Sequence, residues 1–182
     1  MKLFWTRSNL PLSRLLCWGL REPCSHFAVG FACSSDGSVG TVFMSDFLGS
    51  HIAYFGTFKK SHVIVHEVDI PLSLGHEDAV YNSVVQRFDG RPYDYDYFME
   101  MVGQVALNRV FGVPLPKYIK APNPHADLCF EVFSHLPQSI LPPSSLAKNA
   151  FVTPERLYRS LNLDGLAATC PEQPQPPGAT PQ

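Results

Sequence analysis

The sequence predicts an α+β fold in which an antiparallel sheet packs against helices. Short strand-like segments precede Pro71, whereas apolar residues recur at three- and four-residue spacing after it. The 182 residues, 45% of them hydrophobic, are enough for one domain with a core. We place this domain at residues 1–165 and predict a disordered, proline-rich tail at 166–182 because that composition is too polar to pack.

The first half of the chain is predicted to consist of strands around one short helix. A strand is expected in "KLFWTR" and a helix in "LPLSRLLCWGL", with Pro11 in its first turn. The segments "HFAVGFAC" and "TVFMSD" are expected to form a hairpin around the turn-rich "SSDGSVG", centred near Asp36. Two further segments, "HIAYF" and "HVIVHEVDI", are expected to extend the sheet.

The second half is predicted to be helical. Helical spacing appears in "HEDAVYNSVVQRF" and in "YDYFMEMVGQVALNRVFG", which Gly112 is expected to end. A proline-rich loop, "PLPKYIKAPNPH", then leads to "ADLCFEVFSHL", which we interpret as a helix buried against the sheet. A last helix is expected in "TPERLYRSL", with Thr153 as its cap and Pro154 in its first position.

Composition narrows the class of protein. A net charge of −2 and a pI near 6.4 argue against a nucleic-acid partner. No apolar run reaches the ~20 residues of an integral membrane segment, and the N-terminus lacks the pattern of a signal peptide. Five irregularly spaced cysteines are typical of free thiols in a reducing compartment. We therefore expect cytoplasmic synthesis, leave association with a virion open, and predict no cofactor.

Two residues far apart in the chain form a candidate catalytic pair. Cys129 is expected at the start of a helix with Asp127 as its cap, where exposed N–H groups and the helix dipole stabilise a thiolate. His26 opens an apolar strand and offers a base. The competing interpretations are a buried, unreactive cysteine and a histidine that only makes a hydrogen bond in the core.

The order of these residues resembles that of the circularly permuted papain-like enzymes. In this group, which includes NlpC-type cysteine peptidases, the YiiX-like proteins and, more distantly, lecithin retinol acyltransferase, a "SHVGI"-like strand carries the histidine first. The cysteine follows later in a "CSE"-like context at the head of a helix. Here "SHFAV" and "LCFEVF" take these places, "GRPYD" resembles the element between them, and "TPERLY" resembles the terminal segment. The likeness spans residues 2–161.

The resemblance leaves the third residue of the site open. The position that usually carries a polar residue orienting the imidazole is Met44, whose thioether is a weak acceptor. Asp46 lies two residues on and therefore on the same strand face, which makes it the first candidate. His51 is the second candidate, and a water molecule or a backbone carbonyl is a further one.

The resemblance implies a thiol-dependent hydrolase or acyltransferase that acts on an amide or ester of a peptide or lipid acyl substrate. The peptide stems of cell-wall peptidoglycan are one candidate substrate. The alternative, favoured by the methionine at position 44, is a papain-like shell with weak or no activity and a structural or binding role, for example in a phage particle. The sequence leaves the oligomeric state open.

Several other residues are expected to be structural. His62 and His66 have a spacing that chelates a metal on a helix, but on a strand they lie about 13 Å apart, so no metal site is predicted. The segment from Tyr93 to Tyr97 is expected either to line a cleft or to cap the next helix. Burial tendencies place the following side chains in the core: Cys17, Trp18, Cys24, Phe27 and Cys33.

Overall fold

A computed structural model describes residues 1–33, 37–115 and 153–163 of the chain. The predicted proline-rich loop from residue 116 onward and the whole predicted helix with Cys129 lie outside these residues, as does the predicted tail. The described residues form five strands and five helices: β1 (Lys2–Ser8), α1 (Pro11–Leu20), β2 (His26–Ala32), β3 (Val39–Asp46), β4 (Gly49–Tyr54), α2 (Phe55–Ser61), β5 (His62–Asp69), α3 (Leu74–Phe88), α4 (Tyr95–Phe111) and α5 (Pro154–Leu163).

The strands form one antiparallel sheet in the order β4-β3-β2-β1-β5, which confirms the predicted α+β class. In the β2–β3 hairpin, Ala28 pairs with Met44 and Val29 pairs with Phe43. Both pairs are symmetric about position 36, so the hairpin has the register that the sequence predicts. This register is favoured because a shift by one residue would turn the apolar side chains to the wrong face.

Apolar side chains cover both faces of the sheet. One face packs against α3 and α5, and the other packs against α2, so the central strands alternate between two cores rather than between core and water. Burying one such large side chain contributes about 1.5–3 kcal/mol. The first core includes Leu3, Trp5, Phe27, Val29, Phe43, Val84, Phe88 and Leu157, and the second includes Phe4, Ala28, Val42, Met44 and Phe58.

A third apolar cluster joins α1 to α4. Leu16 of α1 lies in it with Phe98, Met101 and Val105 of α4, and Tyr93 joins them from the preceding loop. This cluster holds α1 against α4. No helix among the described residues has the length and apolar character needed to cross a membrane.

A β-bulge separates the two histidines of β5. The register between β1 and β5 shifts between Trp5 and Thr6, and a bulge of this kind turns the side chains beyond it. His62 contacts Phe58 on the α2 face, whereas His66 stacks on Tyr158 of α5 with ring centroids 3.8 Å apart. The two imidazoles therefore face opposite sides of the sheet.

Three structural expectations need correction. Helix α2 was not predicted, because its seven residues follow a strand and include Phe and Thr, which favour strands. Trp18 is 57% exposed: α1 turns Ser13, Leu16 and Gly19 inward at three-residue spacing and leaves Trp18 outside, where the Arg109 guanidinium lies 4.9 Å from its ring centroid. Cys33 is exposed because it follows the last residue of β2. Phe27 and Cys24 are buried as predicted.

Candidate functional site

A pocket of about 280 Å³ lies where β2 begins and β3 ends. Apolar side chains from α1 and α4, including Leu16 and Phe98, form part of its wall. Its polar lining includes Ser13, Ser25, His26, Asp46, His62 and Tyr93. Since β1, the loop before β2 and the N-terminal turn of α1 all contribute, the pocket depends on how these segments meet.

Hydrogen bonds fix the segment that enters β2. The Ser25 amide donates to the Thr6 carbonyl at 3.0 Å, which extends the β1–β2 ladder by one residue beyond His26. The Ser13 hydroxyl oxygen accepts from the Ser8 amide at 3.1 Å and lies 2.5 Å from the Ser25 hydroxyl oxygen. The first turn of α1 is thereby tied to the residue next to His26.

The loop that resembles the "G-x-P-Y-D" element forms the opposite wall. The Ser50 amide donates to the Arg91 carbonyl at 2.8 Å, so this loop contacts the start of β4. Tyr93 is buried and lines the pocket, and the Asp94 carboxylate accepts from the Tyr97 amide at 3.0 Å as the N-cap of α4. The helix cap is confirmed at Asp94, whereas the cleft lining holds for Tyr93 alone among the five residues of this segment.

His26 lies at the wall of the pocket with an uncharged imidazole. The residue is 8% exposed, and its Nε2 has no hydrogen-bond partner among the described residues. The pKa of His26 is lowered to about 3, first by burial and then by repulsion from His62 and His51. The ring is therefore neutral at neutral pH, and one of its nitrogens has a lone pair that can accept a proton.

His62 lies directly against His26. The two rings stack with centroids 5.1 Å apart and planes 30° apart, and the Phe58 ring covers His62 at 4.6 Å and 13°. Burial lowers the pKa of His62; the Phe58 carbonyl and Asp46 act against this shift, and His51 acts with it. The sequence pattern suggests His62 only as a possible metal ligand. It does not predict the contact of His62 with His26.

Asp46 reaches the same pocket as His26, but its contacts go elsewhere. Its Oδ1 accepts from the Leu48 amide at 2.8 Å and lies 3.7 Å from His51 Nδ1. His51 Nδ1 in turn donates to the Gly49 carbonyl at 3.0 Å. The structure thus pairs Asp46 with His51 at the β3–β4 turn and gives neither a hydrogen bond to His26 among the described residues.

Met44 occupies the position where a polar third residue is usual in the group that the sequence resembles. It is 5% exposed and packs with Ala28 and Phe58. It therefore contributes apolar contact on the face that carries His26, and no acceptor.

None of the three cysteines in the described residues suits the role of nucleophile. Burial raises the pKa of the Cys17 thiol, and it also raises the pKa of Cys24, with the Glu155 carboxylate adding to the shift. Cys33 lies seven residues along the β2 direction from His26, a span of about 23 Å. Cys129 lies outside the described residues, so its distance from His26 stays a prediction.

Comparison with known proteins gives no match: no family model fits the chain, no curated protein is significantly similar to it, and no solved structure is significantly similar to its fold.

Proposed function

We propose that this protein is a thiol-dependent hydrolase or acyltransferase with a permuted papain-like, NlpC-type architecture, in which His26 is the base and Cys129 the nucleophile. One observation carries the proposal: His26 lies at a pocket wall, buried and neutral, with Nε2 free of any hydrogen bond to the described residues. Nε2 itself is buried, whereas the residue as a whole lines the pocket. A neutral imidazole at a cavity wall has a lone pair on one ring nitrogen, which is what a general base needs.

The chemistry is acyl transfer through a thioester. The Cys129 thiol gives its proton to His26, and the sulfur attacks the carbonyl carbon of an amide or ester. Backbone N–H groups at the start of the predicted Cys129 helix stabilise the oxyanion. The C–N or C–O bond then breaks as His26 returns the proton to the leaving group, and water or another acceptor releases the acyl group.

The remaining cysteines support the choice of nucleophile. Two of the described thiols, Cys17 and Cys24, have raised pKa values and stay protonated at neutral pH. Cys129 combines the predicted helix start with the sequence context of the group that the chain resembles.

The pocket favours a substrate with a small apolar acyl portion. Its volume of about 280 Å³ is at the lower end of small-molecule sites, so it accommodates one or two residues of a peptide or the start of an acyl chain. Serine hydroxyls and the Tyr93 side chain line it alongside apolar groups from α1 and α4. A stem peptide of peptidoglycan is the substrate that we propose to test first.

A papain-like shell with a structural or binding role is the second candidate, and a specific observation favours it. Met44 is buried where an orienting polar residue is usual, and a histidine whose pKa is lowered to about 3 is a weak base. A thiolate at Cys129 would raise the pKa of His26 from this low value. Whether it does so distinguishes the enzyme from the shell.

The test is the pH dependence of iodoacetamide alkylation at Cys129 in the natural chain and in His26→Ala. We expect a Cys129 pKa below the reference of about 8.5, and His26→Ala should raise that pKa by about one unit or more because the imidazole that accepts the thiol proton is lost. Cys129→Ser identifies the labelled residue, and His76→Ala, an exposed histidine, is the matched control. Equal profiles for the natural chain and His26→Ala would leave the shell as the function.

A further inference from the structure

We propose that His62 is a positioning residue of this site, because its ring lies between Phe58 and His26 and fixes the plane of the His26 imidazole. This inference rests on the proposed function, since it assigns His62 to the proton transfer between Cys129 and His26. It gives the site an orienting residue on β5, whereas the sequence pattern places one on β3.

The first support is a continuous column of rings. Phe58 is fully buried and packs against Phe4 at 6.1 Å between ring centroids and against Phe55 at 6.4 Å. His62 stacks on Phe58 at 4.6 Å, and His26 stacks on His62 at 5.1 Å. The His26 ring thus rests on a support that begins in the core, and a tilt of the imidazole would break contact with it.

The second support is a hydrogen-bond chain that prevents rotation of the His62 ring. The Ser61 hydroxyl donates to the Phe58 carbonyl at 3.2 Å, so its oxygen is available to accept. His62 Nδ1 lies 2.9 Å from this oxygen and therefore donates to it. This assigns the Nδ1–H tautomer to His62 and leaves Nε2 as the unprotonated nitrogen of the ring.

The third support is that hydrogen bonds leave the orientation of His26 open. Met44 provides no acceptor on β3, and Asp46 and His51 contact each other at the β3–β4 turn. His26 Nε2 has no hydrogen-bond partner among the described residues. Of the contacts described for the His26 ring, the stack on His62 is the one that can hold its plane.

His62 also controls the charge of its neighbour. Two stacked imidazoles resist simultaneous protonation because like charges repel at this distance. Among the described residues, the Asp46 carboxyl and the Tyr93 hydroxyl also line the pocket. His51, at the β3–β4 turn, is outside the pocket lining and acts on both imidazoles through its charge. A protonated His62 or His51 opposes protonation of His26, whereas the Asp46 carboxylate favours protonation of His62.

Two substitutions of His62 distinguish the effect of its flat ring on His26 from the effect of its titratable nitrogens. His62→Phe keeps a flat ring against His26 and removes the titratable nitrogens, whereas His62→Ala removes both the ring and these nitrogens. In His62→Phe, the pKa of His26, measured by NMR from its ring proton, should rise by half a pH unit or more. The rate of iodoacetamide alkylation of Cys129 at pH 7 should stay within about threefold of the rate in the natural chain. In His62→Ala the rate should fall at least fivefold, towards that of His26→Ala.

Each outcome has one interpretation. A natural rate and pH profile in His62→Ala, or an equal loss of rate in His62→Phe and His62→Ala, would overturn the positioning role. If His62→Ala does not fold, His62→Leu retains the side-chain volume without a ring and takes its place, and His76→Phe is the surface control. The His26→Ala profile alone tests the proposed function, because it does not involve His62, and the NMR titration reports on the His26–His62 pair even if Cys129 is unreactive.

Discussion

At the scale of single residues, the sequence is a better guide to candidate site residues than to the contacts that those residues make. His26 is noticeable as a polar residue at the mouth of an apolar strand, and the structure places it at a pocket. The stack of His62 on His26 has no sequence pattern, since it depends on a bulge between Trp5 and Thr6 that turns part of β5. Periodicity assumes a regular strand, and a bulge breaks that assumption.

Gly49 is the residue where backbone conformation and packing leave no room for a side chain. Its φ is +95°, and a Cβ atom would lie 2.4 Å from the Arg91 carbonyl oxygen. We expect Gly49→Ala to lower the free energy of unfolding by more than about 1 kcal/mol, because both the strained φ and the clash oppose the fold. Urea unfolding measures this change.

Gly56 is the control for this prediction. It lies in α2, a Cβ there meets no atom within 4 Å, and Gly56→Ala should stabilise the fold by roughly 0.5–1 kcal/mol. Equal effects of the two substitutions would show that the loop around Arg91 adapts to a side chain at position 49.

At the scale of elements, the strands and long helices were predictable and the short helix was not. The β2–β3 register follows from alternation, and α3 and α4 follow from apolar spacing over 15 and 17 residues. Helix α2 has seven residues, too few for helical spacing to show, and tertiary contacts of Phe58 stabilise it rather than propensity. The element that fixes His62 is therefore the one that local sequence does not reveal.

Phe58 tests this account of α2. The side chain is fully buried between β1 and His62, so Phe58→Ala should cost about 3–5 kcal/mol of stability and loosen the ring column beneath His26. Phe58→Leu retains most of the apolar volume and should cost less. Thermal unfolding followed by circular dichroism reports both changes.

Phe111→Ala is the matched control, since the Phe111 side chain is 74% exposed and its removal should change stability by less than about 0.5 kcal/mol. A small effect at Phe58, similar to that at Phe111, would mean that α2 is not fixed by this side chain.

At the scale of the whole molecule, buried titratable groups set how stability depends on pH. The pKa of His26 is lowered to about 3, and that of His62 is lowered as well, both first through burial. The pKa of the Glu22 carboxyl is raised by burial, with the nearby Glu155 adding to it and the Thr153 hydroxyl acting against it. Composition gives the number of such groups, but burial decides the direction in which each pKa shifts. The pH dependence of stability could therefore not be predicted from the sequence.

Because the histidine pKa values are lowered and the Glu22 pKa is raised, the two kinds of group make stability depend on pH in opposite ways. A histidine with a lowered folded pKa binds its proton more weakly than in the unfolded chain, so its contribution to stability is present above the unfolded pKa of about 6.5 and is lost as the pH falls. A carboxyl with a raised folded pKa does the reverse: its contribution is present below the unfolded pKa and is lost as the pH rises through the folded pKa. The histidines therefore destabilise the fold in acid, and Glu22 destabilises it towards neutral pH.

The stability of the chain between pH 6.5 and about 3 tests the histidine contribution. In this range the unfolded chain binds a proton at His26 that the folded chain refuses, so the free energy of unfolding should fall by up to about 1.4 kcal/mol per pH unit for this group. A double variant, His26→Gln with His62→Gln, should be less stable at pH 7 because of altered packing, yet its stability should fall less steeply on acidification. Urea unfolding at half-unit steps of pH measures both slopes, and His76→Gln, at an exposed position, should keep the natural slope. Parallel curves of unfolding free energy against pH for the natural chain and the double variant would contradict this prediction. They would mean that the two imidazoles bind protons in the folded state as readily as in the unfolded one. The fold would then not hold His26 neutral, and the proposed chemistry depends on that neutral ring.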